Sequence, residues 1–201
     1  MMGKKLFAWI GCLLIPACAS TWTLVSEKND HVQLDQISLN IPSGWMLYNN
    51  HDNNYTAIIN GRRIDQKVQR VVITRNGLNL DFIDILEFDG NNAFPSLEKS
   101  ADTTALPSEL AELLIAEQKT KLGMDSIQIV KNEPVMIAGR KGFLVRLRFK
   151  NKSGLQIEQL IYGFVMKDKF YTFKFRAPSL HYFGAGLPDF ENLIASVTLN
   201  I

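Results

Sequence analysis

The segment from Gly142 to Val197 leaves few folds open to this chain. Phe143, Val145, Leu147 and Phe149 alternate with Arg146, Arg148 and Lys150, the period-2 pattern of a strand with one face buried. The turn Asn151-Lys152-Ser153-Gly154 leads into Leu155–Met166, whose second half is apolar on both faces, as in a strand covered on both sides. Lys167-Asp168-Lys169 turns the chain again. From Phe170 to Ala177, Tyr171, Phe173 and Phe175 oppose Thr172, Lys174 and Arg176, and Pro178 ends the run. Pro188 suits the first turn of a helix, and Phe190, Leu193, Ile194 and Val197 follow at the spacing of one helical face. Three consecutive antiparallel strands closed by a helix require the upstream chain to pack onto the same sheet.

Upstream, Val32–Leu34 and Ile37–Ile41 read as a bent strand and Trp45–Tyr48 as another. The polar run Asn49–Asn54 is a loop, Tyr55–Ile59 is apolar again, and Arg62–Gln66 reads as a charged loop. Val68–Thr74 and Leu78–Phe88 form the arms of a hairpin in which Asn76-Gly77 predicts a type I′ turn. Asp89–Thr104, with Phe94 and Leu97 as its large apolar residues, is expected to be an irregular surface loop. Pro107–Leu122 is the longest helix, with Pro107 in its first turn and Gly123 just past its end. Leu110, Leu113 and Leu114, with Ala111 beside them, make its buried stripe; Glu109, Glu112, Glu117, Lys119 and Lys121 make its wet face, acids early and bases late. Ile127–Val130 and Val135–Ala138 are short strands around Pro134, followed by a turn at Gly139-Arg140-Lys141-Gly142. This order gives an α+β fold, a mainly antiparallel β-sheet flanked by helices, as a single domain over 31–201.

The N-terminus carries an address. Lys4-Lys5 precedes an apolar stretch, Leu6–Ile15, too short for the roughly 20 residues that span a bilayer, so residues 1–17 read as a secretory signal. Ile15-Pro16-Ala17-Cys18 resembles the lipobox of bacterial lipoproteins, in which the cysteine is lipidated; Ala17-Cys18-Ala19 is the competing site for ordinary signal peptidase. On the lipobox reading, residues 18–30 are a lipidated tether, with a palmitate-type anchor at Cys18. No aspartate follows Cys18, which by resemblance to sorted lipoproteins implies outer-membrane retention facing the periplasm. Cys12 is a poorer candidate, because Trp9 stands where a small aliphatic residue belongs. Either way no free thiol remains in the domain, which excludes disulfides, thiol catalysis and cysteine metal sites. Loss of Lys4 and Lys5 leaves 20 basic against 20 acidic residues. A neutral chain has no electrostatic pull toward nucleic acid.

Three stretches carry a family resemblance: Ile41-Pro42-Ser43-Gly44-Trp45, Thr74-Arg75-Asn76-Gly77-Leu78, and Ala177-Pro178-Ser179-Leu180-His181-Tyr182-Phe183 with Leu187-Pro188. Together they resemble a family of proteobacterial lipoproteins that brings no activity with it. More distantly the chain is similar to the PsbP-like superfamily, which implies an α/β/α sandwich and an accessory or assembly role rather than catalysis. Leu106 departs from the pattern, standing where a capping Ser or Thr is expected.

Catalytic motifs are absent: the sequence has no G-x-S-x-G, H-E-x-x-H, P-loop or EF-hand loop, and no cofactor or metal is expected. His31 and His51 lie in polar loops. His181 sits in an aromatic turn beside Tyr182 and Phe183, with Arg176 and Asp189 near in sequence. Arg176, His181, Tyr182 and Phe183 are therefore the candidate ligand pocket; the alternative is a helix-entry turn in which the aromatics plug the sheet end. Asp81, Asp84 and Glu87 lack the further ligands of a metal site and read as a solvated strand face. Arg146, Arg148 and Lys150, with Lys174 and Arg176 two strands away, suggest a basic face that Glu158 is placed to neutralise across the hairpin. The expectation is a non-enzymatic envelope lipoprotein, held to the membrane by its lipid and serving as an accessory or binding module for another envelope protein. A carrier of a small apolar or amphipathic ligand, with a cavity under the Pro107–Leu122 helix, is the alternative. An enzyme using His181 comes third.

Overall fold

The computed structural model describes residues 22–26, 31–48, 54–59, 62–122 and 127–200, with backbone alone for 54–59, 62–67 and 122. The segment 1–17 read as a secretory signal, Cys18 and His51 lie outside the described residues. In chain order the strands are β1 Trp22–Leu24, β2 His31–Leu34, β3 Ile37–Asn40, β4 Met46–Tyr48, β5 Asn54–Ile59, β6 Arg62–Lys67, β7 Gln69–Thr74 and β8 Phe82–Asp89. They continue as β9 Gln128–Ile137, β10 Arg140–Lys150, β11 Gln156–Met166, β12 Lys169–Pro178 and β13 Thr198–Leu199. The helices are α1 Pro107–Leu122 and α2 Tyr182–Ala195. Eight strands form one sheet in the order β1-β4-β7-β8-β12-β11-β10-β9, every pair antiparallel. The fold is α+β, with the sheet between two apolar layers.

Alternation along the strands sorts those layers. Ile83, Ile85, Leu144, Phe164, Phe173 and Phe175 pack with Phe183, Phe190 and Leu193 of α2 and with Leu34, Ile37 and Leu39 of the small sheet β13-β3-β2. On the opposite face Leu86, Phe88, Phe143, Val145, Leu147 and Ile161 pack with Leu110, Ala111, Leu114 and Ile115 of α1. Burial on this scale is the main driving term for the fold.

Several expectations are corrected. Trp22–Leu24, placed in the tether by sequence, is the edge strand of the large sheet, and Val25 behind it is buried and paired to the Trp45 carbonyl. Arg62–Lys67 is a strand, because pairing with β5 satisfies its backbone whatever its side chains are. Asn76-Gly77 does not make a two-residue turn. The buried Asp81 carboxylate accepts from Thr74 Oγ1 and from the amides of Arg75 and Asn76, and holds a wider loop. A two-residue turn is found at Ala138-Gly139, both at positive φ (46° and 77°) as type I′ requires, so Arg140–Gly142 belong to β10. Pro134 is no break: β9 is a single ten-residue strand, and an edge strand tolerates the missing amide.

Asp89–Thr104 is less peripheral than its composition suggests. It begins with a 3₁₀ turn, Gly90–Asn92, and buries Ala93, Phe94 and Ala101; Phe94 lies 5.2 Å from Phe170, centroid to centroid. Gly90 lets it approach so closely, since a Cβ there would lie 2.6 Å from the Ala101 carbonyl oxygen. Helix α1 has the predicted bounds. Its missing cap is replaced from inside, because Glu109 Oε2 accepts from the Leu106 amide at 2.8 Å. Helix α2 starts six residues before the expected Pro188, which sits inside it. Phe183, Gly186, Phe190 and Leu193 supply an apolar stripe long enough to carry the helix past the amide lost at Pro188.

Candidate functional site

A cleft of about 60 Å³ opens between α1 and the sheet. Its apolar wall is Leu86, Phe88, Ile161 and Phe170, with Leu114 above them, and its polar groups are Asp84, Thr172, Lys174, Glu117 and Lys121. Alternation on β8 puts Asp84 on this side while Ile83 and Ile85 face α2. Arg70 Nε donates to Asp84 Oδ1 at 2.7 Å and its Nη2 to Oδ2 at 3.2 Å, and Lys174 Nζ, from the residue directly opposite on β12, reaches Oδ2 at 2.9 Å. Burial alone pushes the Asp84 carboxyl up; the charges and hydrogen bonds of Lys174 and Arg70 outweigh this and hold it below the usual carboxylate range. Glu117, expected on the wet face, is 2% exposed. It accepts from the Ser96 amide at 3.0 Å and hydroxyl at 2.8 Å, and pairs with Lys121 one turn on at 2.9 Å.

Each buried carboxylate in the cleft is thus bound to a cation, and the volume suits a few water molecules. Pockets for drug-sized ligands run to about 300–1,000 Å³. Among the described residues no group of three or more His, Cys, Asp or Glu side chains is placed to hold a metal ion.

The pocket expected around His181 is divided by the sheet. Arg176 alternates with Phe175 and Ala177, so it lies on the α1 side, its guanidinium 5.3 Å from the Phe149 ring centroid. Burial lowers its pKa. Phe183 is on the α2 side, stacked on Phe175 at 5.2 Å and covered by the Arg146 guanidinium at 4.8 Å. His181 is exposed at the N-cap of α2, makes no side-chain capping bond, and lies edge-on to Tyr182 at 5.2 Å. Asp189 accepts from Trp45 Nε1 at 3.1 Å and pairs with Arg75. The aromatics therefore plug the sheet end. His31 is exposed, 3.3 Å from Asn40 Oδ1.

The acidic trio does not form a solvated face, because Asp81, Asp84 and Glu87 are all buried. The basic face also divides. Arg146 and Arg148 share the buried Glu158 on the α2 side, Arg146 Nε at 2.6 Å and Arg148 Nη2 at 3.0 Å, while Lys174 and Arg176 are on the other. The Arg70–Asp84–Lys174 group escaped the sequence reading. The one available sign was a lone acid alternating with isoleucines.

No protein-family model matches the chain, and no curated protein matches it. Among solved structures, cyanobacterial PsbP (CyanoP) from Synechocystis overlays with a TM-score of 0.49 at 10% identity, over 84% of this chain and 95% of its own. A protein of Bacteroides thetaiotaomicron gives 0.45 at 15% identity over 83% of this chain and 46% of its own, so this chain spans less than half of that protein. LpqN, involved in cell envelope biogenesis of Mycobacterium tuberculosis, gives 0.36 at 13% identity over 82% of this chain and 83% of its own. The likeness is one of outline, and overlays of this closeness fix neither a family nor an activity.

Proposed function

We propose that the protein is a non-enzymatic envelope lipoprotein, anchored at Cys18 in the outer membrane and acting as an accessory or binding module for another envelope protein. The observation that carries the reading is the commitment of the buried charges at the cleft and hairpins to structure. Asp81 closes a loop, Asp84 ties three strands, Glu117 docks a loop on α1, and Glu158 holds two arginines. What remains for recognition is the outer surface, where Leu180, Met136 and Leu24 are prominent. Among the described residues no helix is long and apolar enough to cross a membrane.

Photo-crosslinking from single positions across the exposed surface, in living cells, tests it. One partner captured from one contiguous patch is the expected result. Random neighbours from every position, or a phenotype of deletion reproduced by His181→Ala alone, would overturn it. The carrier reading has less behind it, since the cleft under α1 has room for water and not for an amphipath.

A further inference from the structure

The chain enters the sheet soon after Cys18. Trp22 pairs with Tyr48 and Leu24 with Met46, and Val25 is locked to Trp45, so the fold holds the backbone from Trp22 onward. Only four residue steps separate Cys18 from Trp22, a reach of at most roughly 14 Å even when fully extended. A lipid on Cys18 therefore has no long leash, and whatever surrounds β1 is brought to the headgroup layer. Alternation places Trp22 and Leu24 on one face of the sheet edge, with their register partners Tyr48 and Met46. Trp22 and Tyr48 are in ring contact at 4.9 Å, and Leu24 is 64% exposed. Met46 pairs in turn with Thr74, the last residue of β7, and the β7–β8 loop that follows carries the exposed Leu78 and Leu80.

From this reach and this composition we infer that the β1–β4 edge lies against the lipid surface, with Trp22 and Tyr48 at headgroup level and Leu24 dipping below them. Tryptophan and tyrosine suit that layer because one end of each ring system is apolar and the other takes hydrogen bonds. The inference rests on the anchor at Cys18 and adds which face of the domain meets the membrane.

The test uses the mature protein purified from host membranes, first weighed intact for acylation of Cys18. It is then reconstituted into phosphatidylethanolamine–phosphatidylglycerol vesicles whose acyl chains are brominated near the headgroup. Trp22 and Trp45 are the tryptophans beyond the signal segment, and Trp45 is fully buried. The expected result is a loss of emission in the wild type that disappears in Trp22→Phe, leaving the unquenched signal of Trp45. An acylated protein whose Trp22 emission is untouched by bromine overturns the contact and leaves the anchor standing. A protein without acyl mass on Cys18 overturns both, because the reach argument then has no starting point.

Discussion

Glu87 and Tyr171 stand opposite each other where β8 pairs with β12, and both are buried there. Burial pushes the Glu87 carboxyl up, and the charge of Asp35 adds to the shift; burial likewise raises the Tyr171 hydroxyl. An acid whose pKa is raised on folding favours the folded state below its unfolded value of about 4.3, and the advantage is lost as pH rises through the folded value. Glu87→Gln should therefore stabilise the domain at neutral pH by on the order of 1 kcal/mol and leave it unchanged near pH 4. Thermal unfolding at the two pH values checks this, and an equal gain at both would contradict it.

Asp84 has the opposite sign. Its carboxyl is held low in the fold, so its contribution is complete above the unfolded value of about 3.9 and fades as pH falls toward the folded one. Asp84→Ala should cost roughly 2–4 kcal/mol at neutral pH, toward the lower end because Arg70 still reaches solvent, and should flatten the acid limb of the stability profile. Urea unfolding from neutral to acidic pH measures both effects.

The sheet was the most legible part of this chain, for a physical reason. Period-2 alternation over β10 and β12 and the apolar run of β11 reflect burial directly, so the three strands between Phe143 and Ala177 are legible in the sequence. Helix α1 was equally plain from Pro107 and its leucines. What stayed hidden depends on partners far along the chain. Nothing local says that Glu117 meets Ser96, that Arg70 meets Asp84, or that Phe94 inserts beside Phe170. The Asn76-Gly77 signal was strong in isolation and lost to the Asp81 carboxylate, which gathers the loop amides more effectively than a tight turn. Placing Arg176 with His181 failed because closeness in sequence says little about which side of a sheet each residue occupies.

The turn at Ala138-Gly139 carries a correctable strain. Ala138 holds a left-handed conformation at φ 46°, which costs an L-residue about 1–2 kcal/mol. Ala138→Gly should stabilise the hairpin by a few tenths to about 1 kcal/mol once the extra entropy of the unfolded chain is deducted. A raised denaturation midpoint with an unchanged slope is the expected signature.

Glu117→Ala should leave α1 in place and release the segment it docks. The Ser96 amide and hydroxyl lose their acceptor, and Phe94 loses the tie that keeps it on Phe170. The expected cost is about 1–3 kcal/mol, with faster amide exchange between Ala93 and Ala101 ahead of the rest of the domain. Uniform acceleration across the sheet would point to a global effect instead.

The pairing of β8 with β12 also governs the order in which the protein can be completed. Phe88 waits for Phe170, 82 residues further along the chain. A polypeptide that emerges N-terminus first therefore presents β7 and β8 with one open ladder and with Ile83 and Ile85 uncovered until its last hairpin arrives. The strands from β9 to β12 are joined by short turns and can assemble on their own, whereas the N-terminal half is finished only when docked onto them. The nascent chain must accordingly be shielded until β12 has emerged, and truncation before Ala177 leaves an adhesive edge rather than a smaller domain.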